Sequence, residues 1–142
     1  MKRAVLTVLV CAMVACSREA PPDAPKRQRG ANPASVGFID IPADGATVDP
    51  YLRVTGWAVD ESGVTGVRIY FDDDLMVTAP VVTKRPDINE KYAKFAKPDA
   101  LHGFEAMIDA GSHVGYTTIR AVAIDGKGAQ SQIRTVTVKI RE

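Results

Sequence analysis

The chain reads as an all-β protein, built as an antiparallel β-sandwich. Three observations predict this. Apolar residues recur at every second position in several short runs. Turn formers bound those runs: Asp44-Gly45, Glu61-Ser62-Gly63, Asp72-Asp73-Asp74, Gly111-Ser112 and Asp125-Gly126-Lys127-Gly128. No long stretch carries a sustained helical period, so the strands must pair into two sheets whose inner side chains interleave as the core.

The first residues follow a different logic. Met1-Lys2-Arg3 is a short basic start, Ala4 to Ala15 is almost unbroken apolar sequence, and Met13-Val14-Ala15-Cys16 ends it with small residues. About a dozen apolar residues are too few to cross a hydrocarbon core of about 30 Å. The pattern at 1–15 resembles a bacterial lipoprotein signal peptide. That resemblance implies cleavage before Cys16, acylation of Cys16 as the lipid attachment site, and a permanent membrane anchor. Met13 stands where the pattern prefers Leu, and ordinary secretory cleavage after Ala15 is the alternative. Cys11 follows bulky Val10 and is the poorer acceptor. With Cys11 lost in the leader and Cys16 lipidated, no thiol is left for a disulfide. Ser17 follows the cysteine where an aspartate would imply inner-membrane retention. The resemblance therefore implies the outer membrane, with a periplasmic or surface-facing domain.

Residues 16–35 have the wrong composition for a core. Pro21, Pro22, Pro25 and Pro33, with Gly30 and the basic Lys26, Arg27 and Arg29, leave no apolar period. The stretch reads as a disordered tether, semi-extended at about 3 Å per residue. The whole chain is formally +1. Leader and tether hold the basic excess, so the segment 36–142 is mildly acidic. This argues against nucleic acid as a partner, because such binding rests on clustered Lys and Arg neutralising phosphates.

The remaining segment, 36–142, is long enough for one independent core. In the strand from Tyr51 to Asp60, Leu52, Val54, Gly56 and Ala58 face inward, and Trp57 and Val59 face outward. The next run sets Val64, Val67, Ile69 and Phe71 around Arg68 and Tyr70. Asp87-Ile88-Asn89-Glu90 then reads as a capping box opening a short helix near residues 87–96. Ile88, Tyr92 and Phe95 form its apolar stripe, Lys91 and Lys94 point away, and Pro98 ends it. That stripe is expected to cover Trp57. Ile119, Ala121 and Ala123 alternate with Thr118, Arg120 and Val122; Val136, Val138 and Ile140 alternate with Thr135, Thr137 and Lys139.

These residues carry a second resemblance. Gly37-Phe38-Ile39-Asp40, Pro42, Gly45 and Val54-x-Gly56-Trp57-Ala58-x-Asp60 look like a bacterial immunoglobulin-like module. Gly63-Val64, Val67-x-Ile69, Arg85-Pro86-Asp87, Gly103-Phe104 and Asp125 before Gly128 continue it. The resemblance covers nearly all of 36–142 and implies an Ig-like sandwich of about seven strands. It also implies a non-catalytic spacer, adhesion or binding role. Asp73-Asp74 departs from the Asp-Gly usual at one hairpin.

Several constellations carry possible chemistry. Asp72-Asp73-Asp74, joined by Asp60 or Asp87, offers oxygen ligands for calcium. Consecutive carboxylates point in different directions, however, and a solvated hairpin turn, where Asp tolerates the left-handed conformation, is the favoured reading. Trp57 with Tyr51, Tyr70, Tyr92 and Tyr116 offers a sugar-stacking platform, against which stands the packing use of Trp57 under the helix. Asp87 is assigned to the cap, and Arg85 to a pair with a sheet-edge carboxylate. His102 falls just before a strand and His113 in a turn, without HExxH or Gly-x-Ser-x-Gly around them. No catalytic residue, cofactor or metal is assigned. The expected function is a membrane-anchored envelope lipoprotein with a non-enzymatic interaction, adhesion or spacer module. Its partners are the membrane, through the lipid, and an envelope protein or glycan. A glycan-binding lipoprotein and a calcium-dependent adhesion module are the alternatives.

Overall fold

The computed structural model describes residues 32–95 and 100–142. The leader, Cys16 and the tether up to residue 31 lie outside the described residues, as does Pro98. The strands are β1 (Val36–Ile41), β2 (Thr47–Val48), β3 (Tyr51–Val59), β4 (Val64–Phe71), β5 (Asp74–Ala79), β6 (Val81–Lys84), β7 (Leu101–Asp109), β8 (Gly115–Asp125) and β9 (Gln130–Ile140). One helix, α1 (Pro86–Lys91), and 3₁₀ turns at Ala93–Phe95 and Gly111–His113 complete the described elements. One sheet has the order β1-β3-β7-β6 and the other β2-β9-β8-β4-β5. This is the immunoglobulin plan, with two extra edge strands, β2 and β5, on the second sheet. The all-β sandwich with one short helix is therefore as expected.

The described residues form nine strands rather than about seven, because β5 adds an edge and the first strand is divided. The first strand is divided between sheets: β1 runs antiparallel to β3, whereas β2 runs parallel to β9. Pro42, after a cis peptide bond, has no N–H to continue pairing. The chain instead crosses to β9, where the Asp44 carboxylate accepts from the Thr137 N–H at 2.7 Å and the Gly45 N–H donates to the Thr137 carbonyl at 2.7 Å. Gly45 adopts φ +79° there, a conformation that a side chain would strain.

Alternation along each strand builds the core. Leu52, Val54 and Ala58 of β3 meet Phe104, Ala106 and Ile108 of β7, opposite Val67, Ile69 and Phe71 of β4. Ile119, Ala121 and Ala123 of β8 and Val136, Val138 and Ile140 of β9 close it. Gly56 is there because of Phe104: a Cβ on it would lie 2.6 Å from the Phe104 ring and 2.1 Å from the Phe38 carbonyl. The missing side chain is what leaves room for the Phe104 ring in the core.

The outer face of the four-stranded sheet carries a second, smaller apolar cluster. Trp57 and Val59 are covered by Ile88, with Tyr92 and Phe95 packed beside them. The Trp57 and Tyr92 ring centroids are 5.4 Å apart. The expected cover of Trp57 is thus present. The helix itself starts differently. Pro86 takes the first helical position after Arg85, where a missing N–H costs nothing, and no side chain caps the turn. Asp87 is inside the first turn rather than before it, so no capping box forms. The α-helix stops at Lys91, and the apolar stripe continues through the 3₁₀ turn at Ala93–Phe95. Lys91 and Lys94 are exposed, as expected, and lie over the Tyr92 and Phe95 rings at 5.6 and 4.6 Å.

Ile88 is the buried residue of α1. Its replacement by alanine is expected to cost about 2–3 kcal/mol in a urea melt. The emission of Trp57, the chain's sole tryptophan, should move to longer wavelength and become accessible to acrylamide. An unchanged emission in Ile88→Ala would show that the helix does not cover Trp57.

Candidate interaction surfaces and the buried polar pole

The sandwich has two ends of unlike chemistry. At one end the chain enters through Asn32 to Ser35, next to the β3–β4 and β8–β9 turns. Two buried carboxylates hold this end. Asp60 accepts from the Ser62 N–H at 2.8 Å and the Ser62 hydroxyl at 2.7 Å, and from the Ser35 hydroxyl at 2.9 Å. Asp125, 2% exposed, accepts from the N–H groups of Lys127 at 2.8 Å and Ala129 at 2.9 Å, and from the Asn32 side-chain amide. Burial pushes the Asp60 carboxyl up, but the Ser62 and Ser35 hydrogen bonds, helped by nearby Lys127, outweigh it and hold the group below its ordinary value. The expected disordered tether runs as far as Ser35. Ser35 is instead buried, because its hydroxyl completes the Asp60 site.

His102 lies at this same end. It is inside β7 rather than before it, across from Ala58. Its ring continues the inward row of Phe104, Ala106 and Ile108 and is 7% exposed. Burial lowers its proton affinity, and a hydrogen bond to the Ala58 backbone only partly opposes this. Its Nε2 is buried with no hydrogen-bond partner among the described residues. The period-two register around Gly103-Phe104 contained this placement, had the strand been started at Leu101.

On the outer sheet face beside α1, Arg85 bridges two carboxylates. Its Nε and Nη2 bind Asp87 at 3.0 and 2.8 Å, and Nη1 binds Asp40 on edge strand β1 at 2.7 Å. The pairing expected between Arg85 and a sheet-edge carboxylate is present, while Asp87 answers Arg85 first and the backbone N–H groups only second. Hydrogen bonding to Arg85 holds the Asp87 carboxyl below its usual range, and Asp87 with Asp40 raises Arg85. Gly103 makes this possible, since a Cβ there would lie 2.8 Å from Thr83 and 3.2 Å from the Arg85 stem. Arg53 and Glu105 pair at 2.6 Å a little further along the face. The shallow cleft between these pairs, about 170 Å³, is lined by charges that answer one another.

The far end carries the acidic turn. Asp72 sits at φ +52°, the left-handed conformation that aspartate tolerates, and accepts from the Thr118 N–H at 3.0 Å. Asp74 meets His113 Nε2 at 3.1 Å, and Ser112 Oγ lies 3.0 Å from His113 Nδ1. This string of Ser, His and Asp is a surface tie between the 3₁₀ turn and the β4–β5 hairpin. Asp74 is open to solvent, and Ser112 lines none of the clefts described here. Asp60 lies at the other end of β4 and Asp87 on the helix, so neither joins Asp72-Asp73-Asp74. Among the described residues no group of three or more His, Cys, Asp or Glu side chains is arranged to hold a metal ion.

The aromatic residues proposed as one platform are dispersed. Trp57 is 8% exposed beneath Tyr92. Tyr70 stacks with Arg120, its cross-strand neighbour, at 4.5 Å. Tyr51 and Tyr116 stand at the far end, 65% and 79% exposed. With them at or near that end are the exposed Leu75, Met107 and Val114, which sequence reasoning did not single out. Inward Leu52 and Ile108 already implied outward Tyr51 and Met107.

No known family profile and no curated protein matches the chain. Among solved structures the chain is similar to a fibronectin(III)-like module of Clostridium thermocellum CbhA, at 18% identity and a TM-score of 0.49. The match covers 75% of this chain and 96% of that one.

His102 and Asp60 give separate acid limbs. The unfolded chain holds a histidine proton at about pH 6.5 and below, whereas folded His102 resists it. The unfolded state then binds more protons, so stability falls as pH drops through about 6.5. Asp60 acts in a lower window: its contribution is complete above about pH 4 and lost as the folded group is protonated. Urea midpoints measured from about pH 8 to pH 3 should show both limbs. His102→Gln should flatten the upper limb and leave the lower one. An upper limb that persists in His102→Gln would contradict the assignment.

Proposed function

We propose that this protein is a membrane-anchored envelope lipoprotein whose sandwich is a non-catalytic interaction module, fixed at its entry end and contacting a partner with the opposite end. The observation that carries this reading is the unequal chemistry of the two ends. Asn32 and Ser35 are bound to buried aspartates where the chain enters. Tyr51, Tyr116, Val114 and Leu75 are exposed at the end furthest from that entry. Apolar residues are exposed on the edge strands too, Val36, Phe38 and Ile41 on β1 and Val82 on β6, but the far end holds the two most exposed, Tyr51 and Tyr116. Aromatic residues there suit a protein partner, since tyrosine contributes contact area at low entropic cost and is enriched at interface hot spots. The anchor rests on the leader's resemblance to a lipoprotein signal and on Cys16.

The test places a photo-crosslinking residue at Tyr116 or at Lys127 in the full chain, in a bacterium that processes lipoproteins, with and without Cys16→Ser. The expected result is palmitate labelling and membrane fractionation that both disappear in Cys16→Ser. Discrete crosslinked products should form from position 116 and not from position 127. A chain that fractionates with the membrane independently of Cys16 would overturn the anchor. Equal crosslinking from both positions, or none from 116, would overturn the contact surface.

A further inference from the structure

Among the described residues, every aromatic ring that reaches the surface but one carries a cation of the same chain. Arg134 lies over Phe38 at 4.6 Å from the ring centroid, Arg120 over Tyr70 at 4.5 Å and Lys91 over Tyr92 at 5.6 Å. Lys94 lies over Phe95 at 4.6 Å and Lys139 over Tyr116 at 5.8 Å. Tyr51 is the exception: it is 65% exposed, and no cation of the described residues lies over its ring. The cations around it are engaged with other groups, Arg53 with Glu105 at 2.6 Å and Arg141 with Asp49 at 3.1 Å. We propose that Tyr51 docks an arginine of the protein partner, with the guanidinium stacked on the ring and hydrogen-bonded to Asp109. This assignment rests on the far-end contact surface proposed above and names the group which that surface receives.

The demand for a cation comes from the ring's neighbours. Asp109 is opposite Tyr51 in the β3–β7 ladder, so the two side chains stand on one outer face, about 5 Å apart at Cβ. One oxygen of exposed Asp109 accepts from the Gly111 N–H at 3.0 Å, and the other has no partner among the described residues. The surrounding end is acidic: Asp49, Asp72, Asp73, Asp74, Asp109 and Glu142 stand against Lys139 and Arg141. An anionic partner surface is repelled here, and a purely apolar one leaves Asp109 unanswered. Arginine suits the pair better than lysine, because its planar fork stacks on a ring while donating to a carboxylate. Met107, diagonal to Tyr51 on the same face and 48% exposed, is placed to receive the aliphatic stem.

The experiment places an aliphatic diazirine residue at Met107, beside Tyr51, in the full chain in a bacterium that processes lipoproteins. Photo-crosslinking yield is then compared in Tyr51→Phe, Tyr51→Leu and Asp109→Asn. Both positions are exposed, and asparagine still accepts from the Gly111 N–H, so these variants leave the core intact. Tyr51→Phe keeps the ring face and should hold the yield within about 2-fold, whereas Tyr51→Leu and Asp109→Asn should lower it about 3- to 10-fold. The crosslinked partner peptide, sequenced by mass spectrometry, should contain an arginine. An undiminished yield in Tyr51→Leu, a partner peptide without arginine, or products from position 116 but none from 107 would overturn this inference and leave the contact surface standing. Products from neither position would overturn both. A product made of two copies of this chain would overturn the assignment to a different protein.

Discussion

The end of a β-sandwich poses a problem that its core does not, and here two buried aspartates solve it. Where strands stop, turn N–H groups lose their ladder partners and must be answered by something else. Asp125 answers those of Lys127 and Ala129, and Asp60 that of Ser62. The two turns are then joined directly, since the Gly126 N–H donates to the Gly63 carbonyl at 2.9 Å. Gly126 has no alternative, because a Cβ on it would come within 2.2 Å of the Ser62 carbonyl oxygen. Through Asn32 and Ser35 the same carboxylates also capture the incoming chain. The direction in which β1 enters the sheet is set by these bonds, and the division of the molecule into a held end and a free end follows.

The faces between the ends are closed by other means. Half of the outer four-stranded face is covered by α1, which gives Trp57 and Val59 an apolar neighbour. The adjoining part is spanned by Arg85 with Asp40 and Asp87, and by Arg53 with Glu105. On the opposite sheet Tyr70 lies against Arg120, and Arg68 binds Gln130 at 3.1 Å. Edge strand β1 is moderated by Arg134, which reaches from β9 over the Phe38 ring at 4.6 Å. Exposed ion pairs of this kind add little stability. Their effect is to answer charges on the sheet faces that would otherwise stand unpaired.

Much of this was legible because strand alternation is a local signal. Leu52, Val54 and Ala58 point inward for the same reason in any sheet, and outward Trp57 then required a cover, which the spacing of Ile88, Tyr92 and Phe95 supplied. What the sequence concealed depends on distant partners. Asp60 and Asp125 look like ordinary turn residues; their burial arises only when Ser35 and Asn32 come back across the fold. Asp87 was read as a cap because its carboxylate is next to backbone N–H groups, yet Arg85, two residues away, offers a charged bidentate partner that competes better. The crossing of the first strand between sheets needed β9 to be in place before Pro42 acquired meaning. The strand that holds His102 begins at Leu101, two residues earlier than expected, and that shift is enough to hide a core position.

Native-state hydrogen exchange at the amides of Ser62, Lys127 and Ala129 tests the role of the aspartates most directly. All three are turn amides whose acceptors are the Asp60 and Asp125 carboxylates. If the buried carboxylates hold this end, these amides exchange only through global unfolding, as slowly as those of central strand β8, and Asp125→Ala releases Lys127 and Ala129. Exchange at the rates of exposed loops in the unaltered protein would contradict the account.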